Sequence, residues 1–196
     1  MIQNFISTTY SLSVLPIYTY GAAALRKKAQ PVKEVSNATV KLIVDMFETM
    51  RKSNGIGLAA TQVGNLSRVI VIDLSDMEEM KDTKPLALIN PQVIDQSGTW
   101  VMEEGCLSIP DIRDDVERAE SIKVRYKDAS FNDVEMHVGG LIGRVILHEI
   151  DHLNGVLFID HLSPEKKKLH AEQLKQIQRG EMEVNYPVIT GVDVSV

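Results

Sequence analysis

The chain has 196 residues, of which 44% are hydrophobic and 24% charged, the composition of an ordinary globular protein. Its 27 acidic and 21 basic residues give a formal net charge of −6. That balance argues against a general DNA or RNA binder, because such proteins concentrate Lys and Arg against phosphates. The length favours one domain over residues 1–196, in which residues 1–13 show no clear period and are interpreted as an extension.

The sequence gives no sign of an oxidising compartment or of a membrane. A single cysteine, Cys106, cannot form an intrachain disulfide. No apolar run approaches the about 20 residues of a bilayer span, and the first twenty residues show no recognisable secretory signal. We therefore expect a cytoplasmic protein with neither a membrane partner nor a specific DNA partner.

The first predicted helix covers residues 36–53. Apolar residues at spacings of three and four line one face of it. They are Val40, Ile43, Val44, Phe47 and Met50. Ser36 or Asn37 is a suitable N-cap, and the pair Asn54-Gly55 ends the helix, with Gly55 expected in the left-handed conformation.

Strands are predicted mainly in the middle of the chain, where β-branched and apolar residues alternate with turn residues. The predicted strands cover residues 68–74, 86–89, 92–94, 98–103, 121–127 and 134–138. Residues 75–84 are acidic and polar and predict an exposed loop. Residues 156–159 predict one more short strand.

Two further helices follow the strands. One has a single stripe of inward residues at helical spacing. These are Leu141, Val145, His148 and His152. The other begins at Ser163 with Pro164 in its first turn and runs to about Arg179. The sequence therefore predicts an α+β fold, with mixed or antiparallel strands packed around a central metal-binding helix and a C-terminal helix.

The strongest chemical signal is the segment His148-Glu149-Ile150-Asp151-His152. On a helix, His148 and His152 lie one turn apart and point the same way, so both imidazoles can bind one metal ion. Glu149 lies beside them, where it can exchange a proton with water on the metal. Asp151 is left with two interpretations, orienting a ligand histidine or capping local backbone.

A second segment, Glu104-Gly105-Cys106-Leu107-Ser108, contains the lone cysteine next to a predicted strand. Its thiolate is a suitable third ligand for a divalent metal, and two histidines with one cysteine leave a fourth position open, as in catalytic sites. A lone cysteine is otherwise a small buried apolar residue. The remaining histidines are interpreted as surface or local contacts, namely His137, His161 and His170.

The third segment runs from Gly55 to Gln62. It fits the glycine pattern of dinucleotide-binding folds, but a helix precedes it where that fold needs a strand. We interpret it as a tight backbone segment that lets a substrate chain approach closely, with Gln62 as a neutral amide donor.

Together and in this order, the three segments resemble those of the peptide deformylases, from about Val14 to Gly180. The cysteine segment is the discriminating one, because His-Glu-x-x-His also marks many metalloproteases. The resemblance implies a hydrolase that removes the formyl group from N-formylmethionyl nascent peptides and releases formate. It further implies one divalent metal ion, ferrous iron, which Zn²⁺, Ni²⁺ or Co²⁺ can replace. Thr61 departs from the family, since many relatives have proline there.

The resemblance also implies residue roles. The metal ligands by motif match are Cys106, His148 and His152. Glu149 matches the catalytic acid/base, and Gln62 with the Leu107 backbone N–H matches the pair that holds the formyl oxygen. Substrate-binding positions by the same match are Ile56, Gly57, Glu104, Gly105 and Arg113.

Alternatives stay open at this point. A metallopeptidase would take its third ligand elsewhere, for example from His161, and leave Cys106 buried. A structural metal module would close the site with a fourth protein ligand. A thiol hydrolase would use Cys106 as nucleophile and survive chelation. The run of lysines at 166–168 is either a solvated face of the C-terminal helix or a contact to the ribosome.

Overall fold

Three α-helices and nine strands make up residues 11–191, the part of the chain that the computed structural model describes. Of the predicted extension at 1–13, residues 1–10 lie outside the described residues. The helices are α1 (Asn37–Lys52), α2 (Gly140–Leu153) and α3 (Pro164–Gln178). The strands are β1 (Ile17–Tyr18), β2 (Gly57–Ala59), β3 (Val69–Ile72), β4 (Leu86–Ser97), β5 (Trp100–Cys106), β6 (Ile109–Arg118), β7 (Ser121–Lys127), β8 (Asp133–Gly139) and β9 (Val188–Ile189).

The strands form three sheets. The largest is antiparallel with the order β2-β3-β4-β7-β8, so β2 lies at its edge. Strands β5 and β6 form an antiparallel hairpin, and β1 pairs with β9 in parallel. The predicted α+β class, with mixed strands and a C-terminal helix, is confirmed.

Strand β3 shows how the large sheet is buried on both faces. Ile70 and Ile72 pack in the cluster that contains the apolar residues of α2, whereas Val69 and Val71 pack in the cluster of α1. Because both faces are covered, the strand is a continuous apolar run instead of an alternating one. The sheet thus holds α2 in the middle of the molecule.

The helix caps follow the predicted chemistry. The Ser36 side chain accepts a hydrogen bond from Thr39 N at the start of α1, and the Ser163 side chain accepts one from Lys166 N at the start of α3. One detail differs after α1, where Asn54 and not Gly55 takes the left-handed conformation, at φ 56°. Asn adopts the left-handed conformation more readily than most residues, because its short polar side chain can form hydrogen bonds to nearby backbone.

Two strand predictions are wrong. Residues 156–159 do not form a strand; a 3-10 helix covers Phe158–His161. The Asp160 carboxylate accepts the Leu157 N–H at 2.8 Å, and this local bond ends the extended backbone. The two strands predicted around Pro91 are one strand, β4, whose pairing with β7 shifts register near Asn90 (φ 54°).

Strands β1, β2, β6 and β9 were not predicted. Strand β6 alternates buried and exposed residues, but its exposed positions are charged and hide the apolar pattern. The loop at 75–84 is largely exposed, as expected, with a short 3-10 helix at Glu78–Met80. Within residues 11–191, none of the helices has the length and apolar character that crossing a bilayer requires.

Candidate metal and catalytic site

Three side chains from two elements meet beside α2. His148 and His152 lie one turn apart on this helix, and their Nε2 atoms are 3.2 Å from each other. Cys106, the last residue of β5, brings its Sγ to 3.2 Å from His152 Nε2. One ligand atom from each residue lies within 4.8 Å of the other two. The structure therefore brings together the three predicted metal ligands.

This group has the dimensions of a metal site. Donors about 2.0–2.3 Å from a tetrahedral ion lie about 3.3–3.8 Å apart, close to the observed separations. In the described part of the chain, no fourth His, Cys, Asp or Glu joins the group. Two imidazoles, one sulfur and an open position suit a divalent first-row metal with room for a reacting molecule.

Glu104 fixes the orientation of His148, one of the two histidines predicted as ligands. Its Oε2 atom lies 2.9 Å from His148 Nδ1, which accordingly donates and leaves Nε2 free to bind a metal. Arg118 donates to both carboxylate oxygens, at 2.6 and 3.0 Å, and Arg144 donates to Oε1 at 3.0 Å. Although burial alone would raise the pKa of Glu104, the hydrogen bonds from His148 and Arg118 hold it well below its usual value. Glu104 is therefore an ionised anchor behind the site.

Glu149 lies next to the ligands with its carboxylate against β2. A Cβ at residue 57 would lie 2.6 Å from Glu149 Oε1 and 2.6 Å from Val145 Cγ1, so glycine at 57 leaves the space that the carboxylate occupies. Within residues 11–191, Glu149 Oε2 is buried without a hydrogen-bond partner. Burial raises the pKa of Glu149 to about 7. A buried carboxylate with a free oxygen and this pKa is suited to proton transfer near neutral pH.

Gln62 is held with its amide nitrogen toward the cysteine. Its Oε1 accepts the Ala59 N–H at 2.8 Å, which turns Nε2 toward Cys106 Sγ at 3.5 Å and Ser108 Oγ at 3.2 Å. Leu107 lies in the turn between β5 and β6, outside the strand ladder. A Cβ at residue 55 would lie 2.7 Å from Leu107 Cδ1, so the Leu107 side chain packs directly on Gly55.

A cleft of about 850 Å³ opens over these residues. All of the predicted substrate-binding positions line this cleft, namely Ile56, Gly57, Glu104, Gly105 and Arg113. The Glu104 carboxylate, however, is fully engaged by arginines and His148. Arg113 is largely exposed, and its guanidinium lies 3.8 Å from Glu103.

Sequence reasoning missed the arginines behind the site. Arg118 also donates to Asp151 Oδ2 at 2.6 Å, and His161 Nε2 lies 2.7 Å from the same oxygen. Asp151 thus fits neither earlier interpretation directly, because it binds Arg118 and His161 instead of a ligand histidine. Arg144 is the only charged residue in the otherwise apolar first part of α2 (Gly140–Leu147). This isolated charge in the sequence could have indicated a buried ion pair.

Thr61, the departure from the family pattern, contacts α2. Its hydroxyl donates to the His152 carbonyl at 3.0 Å. The three other histidines make local contacts as predicted, His137 with Ser121, His161 with Asp151 and His170 with Asp114. The metallopeptidase interpretation needed a third ligand such as His161 or an acid, and neither His161 nor a carboxylate joins the two histidines in the described part of the chain.

Comparison with known proteins agrees with this geometry. A family model described as polypeptide deformylase matches residues 14–168, so the match ends within α3. The peptide deformylase of Salinibacter ruber is 45% identical over 191 residues, covering 93% of this chain and 98% of that protein. The crystal structure of a peptide deformylase from Legionella pneumophila superposes with a TM-score of 0.79 at 36% identity, covering 86% of this chain and 98% of that one.

A third comparison concerns a peptide complex. The Met-Ala-Ser-bound peptide deformylase of Acinetobacter baumannii superposes with a TM-score of 0.73 at 36% identity, covering 78% of this chain and all of that one. The family model, the sequence relatives and the similar structures all indicate the same family as the motifs around the cysteine and the two histidines. The chain belongs to the polypeptide deformylase family, metal-dependent hydrolases that remove the formyl group from N-formylmethionyl peptides.

Proposed function

We propose that the cleft over Cys106 performs this deformylation, with Cys106, His148 and His152 as metal ligands and Glu149 as the acid/base. The observation that carries the proposal is the buried Glu149 Oε2 atom, which has no hydrogen-bond partner among the described residues and lies beside the group of Cys106, His148 and His152. A bound divalent metal supplies Lewis acidity, which lowers the pKa of water from about 16 toward 7. Glu149 takes the proton of the attacking water and delivers it to the departing amine. The products are formate and a free α-amine.

Negative charge develops on the formyl oxygen during the reaction, and hydrogen-bond donors are needed to stabilise it. Gln62 Nε2 is held toward Cys106 by the bond between Gln62 Oε1 and Ala59 N, so the amide is already oriented before substrate arrives. The Leu107 N–H, in the turn after Cys106, is the second donor that we propose. Loss of one such donor typically costs about 10²–10³ in rate.

The peptide part of the substrate binds along β2. This strand lies at the edge of the large sheet, and no strand among residues 11–191 pairs with its outer side. The Ala59 N–H already binds Gln62 Oε1, so an extended chain would pair at Gly57. Ile56 and Gly57 lie at this edge and line the cleft. Gly105 and Arg113 line it as well, and Arg113 contributes a positive charge near the peptide. Glu104 acts on substrate only through His148.

The metal that we propose is ferrous iron. Thiolate and imidazole donors accept several first-row ions, so Zn²⁺, Ni²⁺ and Co²⁺ are expected to replace it. Elemental analysis of protein purified without oxygen tests this choice. Predominant zinc in protein purified under those conditions would contradict it.

The formyl group is the smallest acyl group, and we propose that the narrow space between Glu149 and Gly57 selects it. Acetyl-Met-Ala should then be cleaved far more slowly than formyl-Met-Ala. Equal rates for the two peptides would contradict steric selection without affecting the role of the metal.

The decisive experiment measures formate release from formyl-Met-Ala. Glu149→Ala should keep the metal and lose about 10²–10⁴ of turnover, the usual contribution of an acid/base group. Chelation should abolish activity, and added metal should restore it. Activity that survives chelation would favour Cys106 as a nucleophile, and an active Glu149→Ala variant would remove Glu149 from its role.

Two further proposals concern context. We propose that residues 1–196 act as one catalytic domain in the cytoplasm, where formylated nascent chains are made. Contact with the ribosome would use the basic face of α3, supported by the run Lys166–Lys168, although Lys166 already pairs with Asp114. Replacing Lys167 and Lys168 by Glu should weaken co-sedimentation with ribosomes; unchanged co-sedimentation would exclude this surface.

A further inference from the structure

The chain does not end at α3. Residues 181–189, which we call the C-terminal segment, run back to the cleft and finish in β9. Strand β9 is fixed beside β1, because Ile17 N donates to the Pro187 carbonyl at 2.9 Å and Thr19 N donates to the Ile189 carbonyl at 2.9 Å. Glu183, Val184, Asn185 and Tyr186 line the cleft. The C-terminal segment is therefore part of the cleft wall.

Tyr186 makes the most direct contact with the site. Its hydroxyl donates to the Leu107 carbonyl at 2.8 Å, one residue beyond Cys106. Tyr186 is half-buried, and burial next to Cys106 and Asp111 raises its pKa to about 12. The phenol O–H is the donor in this bond, because the Leu107 carbonyl oxygen can only accept.

The same short turn is held from a second side. Tyr20 N, just after β1, donates to the Ser108 carbonyl at 2.8 Å, and Ser108 Oγ accepts from Gln62 Nε2 at 3.2 Å. Consecutive carbonyls of the turn, those of Leu107 and Ser108, thus bind donors delivered by the β1–β9 pair. Leu107 and Ser108 lie outside the strand ladder, so these two bonds hold main-chain carbonyls that the pairing of β5 with β6 does not hold.

We propose that Tyr186 is a positioning residue for deformylation, whose hydroxyl holds the Leu107 main chain so that its N–H addresses the formyl oxygen. This inference rests on the proposed role of Leu107. Donors to a developing oxyanion act only when held within about 0.5 Å and 10–20° of the productive geometry. Loss of the Tyr186 hydroxyl frees the Leu107 carbonyl while the bonds to Ser108 remain, so the Leu107 main chain is held less closely and part of the donor's effect is lost.

The test is Tyr186→Phe, which removes the hydroxyl and keeps the ring. The matched control is Tyr126→Phe, in β7 of the large sheet and away from the cleft lining. For formyl-Met-Ala we expect Tyr186→Phe to lower kcat about tenfold, a part of the 10²–10³ for a lost donor, with KM changed less than about twofold. Tyr126→Phe should leave both constants unchanged.

Two readouts separate positioning from a merely structural role. The melting temperature and the absorption spectrum of the cobalt-loaded protein, including its thiolate band, should match those of the unmodified protein. An unchanged kcat overturns the inference. A lower kcat accompanied by an altered cobalt spectrum or by a large loss of melting temperature also overturns it, because the hydroxyl would then support the metal site or the fold.

Failure of this inference differs from failure of the proposed function. A normal kcat in Tyr186→Phe, with Glu149→Ala inactive in the same assay, overturns only the positioning role. An active Glu149→Ala variant overturns the proposed acid/base, whatever Tyr186→Phe shows.

Discussion

Glu104 and Asp114 are directly opposite each other on the β5–β6 hairpin, yet they have different surroundings. Glu104 reaches toward α2 and binds Arg118, Arg144 and His148. Asp114 reaches toward α3 and binds Lys166 and His170. The hairpin therefore uses one carboxylate to hold α2 and the other to hold α3.

The two clusters differ in access to water. The Glu104 side chain is 5% exposed, and the side chains of Arg118 and Arg144 are 6% and 3% exposed. The Asp114 side chain is 14% exposed, but its partner Lys166 is 39% exposed. Breaking a buried pair leaves a charge that water cannot reach, whereas a solvated pair contributes little. Glu104 and Asp114 are therefore expected to contribute unequal amounts to the free energy of unfolding, although both are carboxylates of one hairpin.

The largest effect is expected for Glu104→Gln. It leaves the buried Arg144 without a charge partner, leaves Arg118 with Asp151 alone and weakens the hold on His148, so unfolding should cost about 3–5 kcal/mol less. Metal affinity should also fall about 10- to 100-fold, as for other groups that orient a ligand histidine. Urea unfolding and metal titration measure both. The control variant is Glu103→Gln, because Glu103 is exposed. If Glu104→Gln were as stable as Glu103→Gln, the burial of Glu104 would not make its ion pairs more important for stability.

Arg144→Met should have the next largest effect. It removes one partner of Glu104 and the donors to the Val116 and Trp100 carbonyls, while Arg118 and His148 remain on the carboxylate. A hydrogen bond to a charged group is typically worth about 1.5–3 kcal/mol, and we expect a loss of that order in the free energy of unfolding. A loss equal to that of Glu104→Gln would show that the cluster acts only as a unit.

Asp114→Asn should change stability by at most about 1 kcal/mol and leave deformylation unchanged. The difference from the unmodified protein should shrink in high salt, because this pair is partly solvated. Unfolding at low and high ionic strength measures it. A loss that is large and independent of salt would place Asp114 in the same class as Glu104.

The smallest effect is expected for the contribution of Asp114 to stability at acidic pH. Although burial alone would raise the pKa of Asp114, hydrogen bonds from Lys166 and His170 lower it. A lowered folded-state pKa contributes stability that is present above the unfolded value of about 3.9 and is lost as pH falls through the folded value. The gap between Asp114→Asn and the unmodified protein should therefore close as pH falls below about 4. A gap that persists there would show that Asp114 acts through packing and not through charge.

Local patterns predicted the three helices and singled out the cysteine and the two histidines that the fold brings together. The spacing of His148 and His152 follows from 3.6 residues per turn, and the caps Ser36 and Ser163 follow from side-chain chemistry within three residues. The strand predicted at 156–159 failed because Leu157, Phe158 and Ile159 are buried where the chain enters a 3-10 helix, whose first turn the Asp160 carboxylate favours. Strand β6 was missed because its charged residues face outward or into buried ion pairs.

The sequence by itself determined the helical face that presents two imidazoles, the neighbouring carboxylate of Glu149 and the cysteine segment, because these depend on contacts within a turn or on a short motif. Only the tertiary structure decided which groups surround them. Arg118 and Arg144 lie 14 and 40 residues from Glu104, and Tyr186 lies 79 residues from Leu107. No local period encodes such pairs, because they form only when the hairpin, α2 and the C-terminal segment pack together.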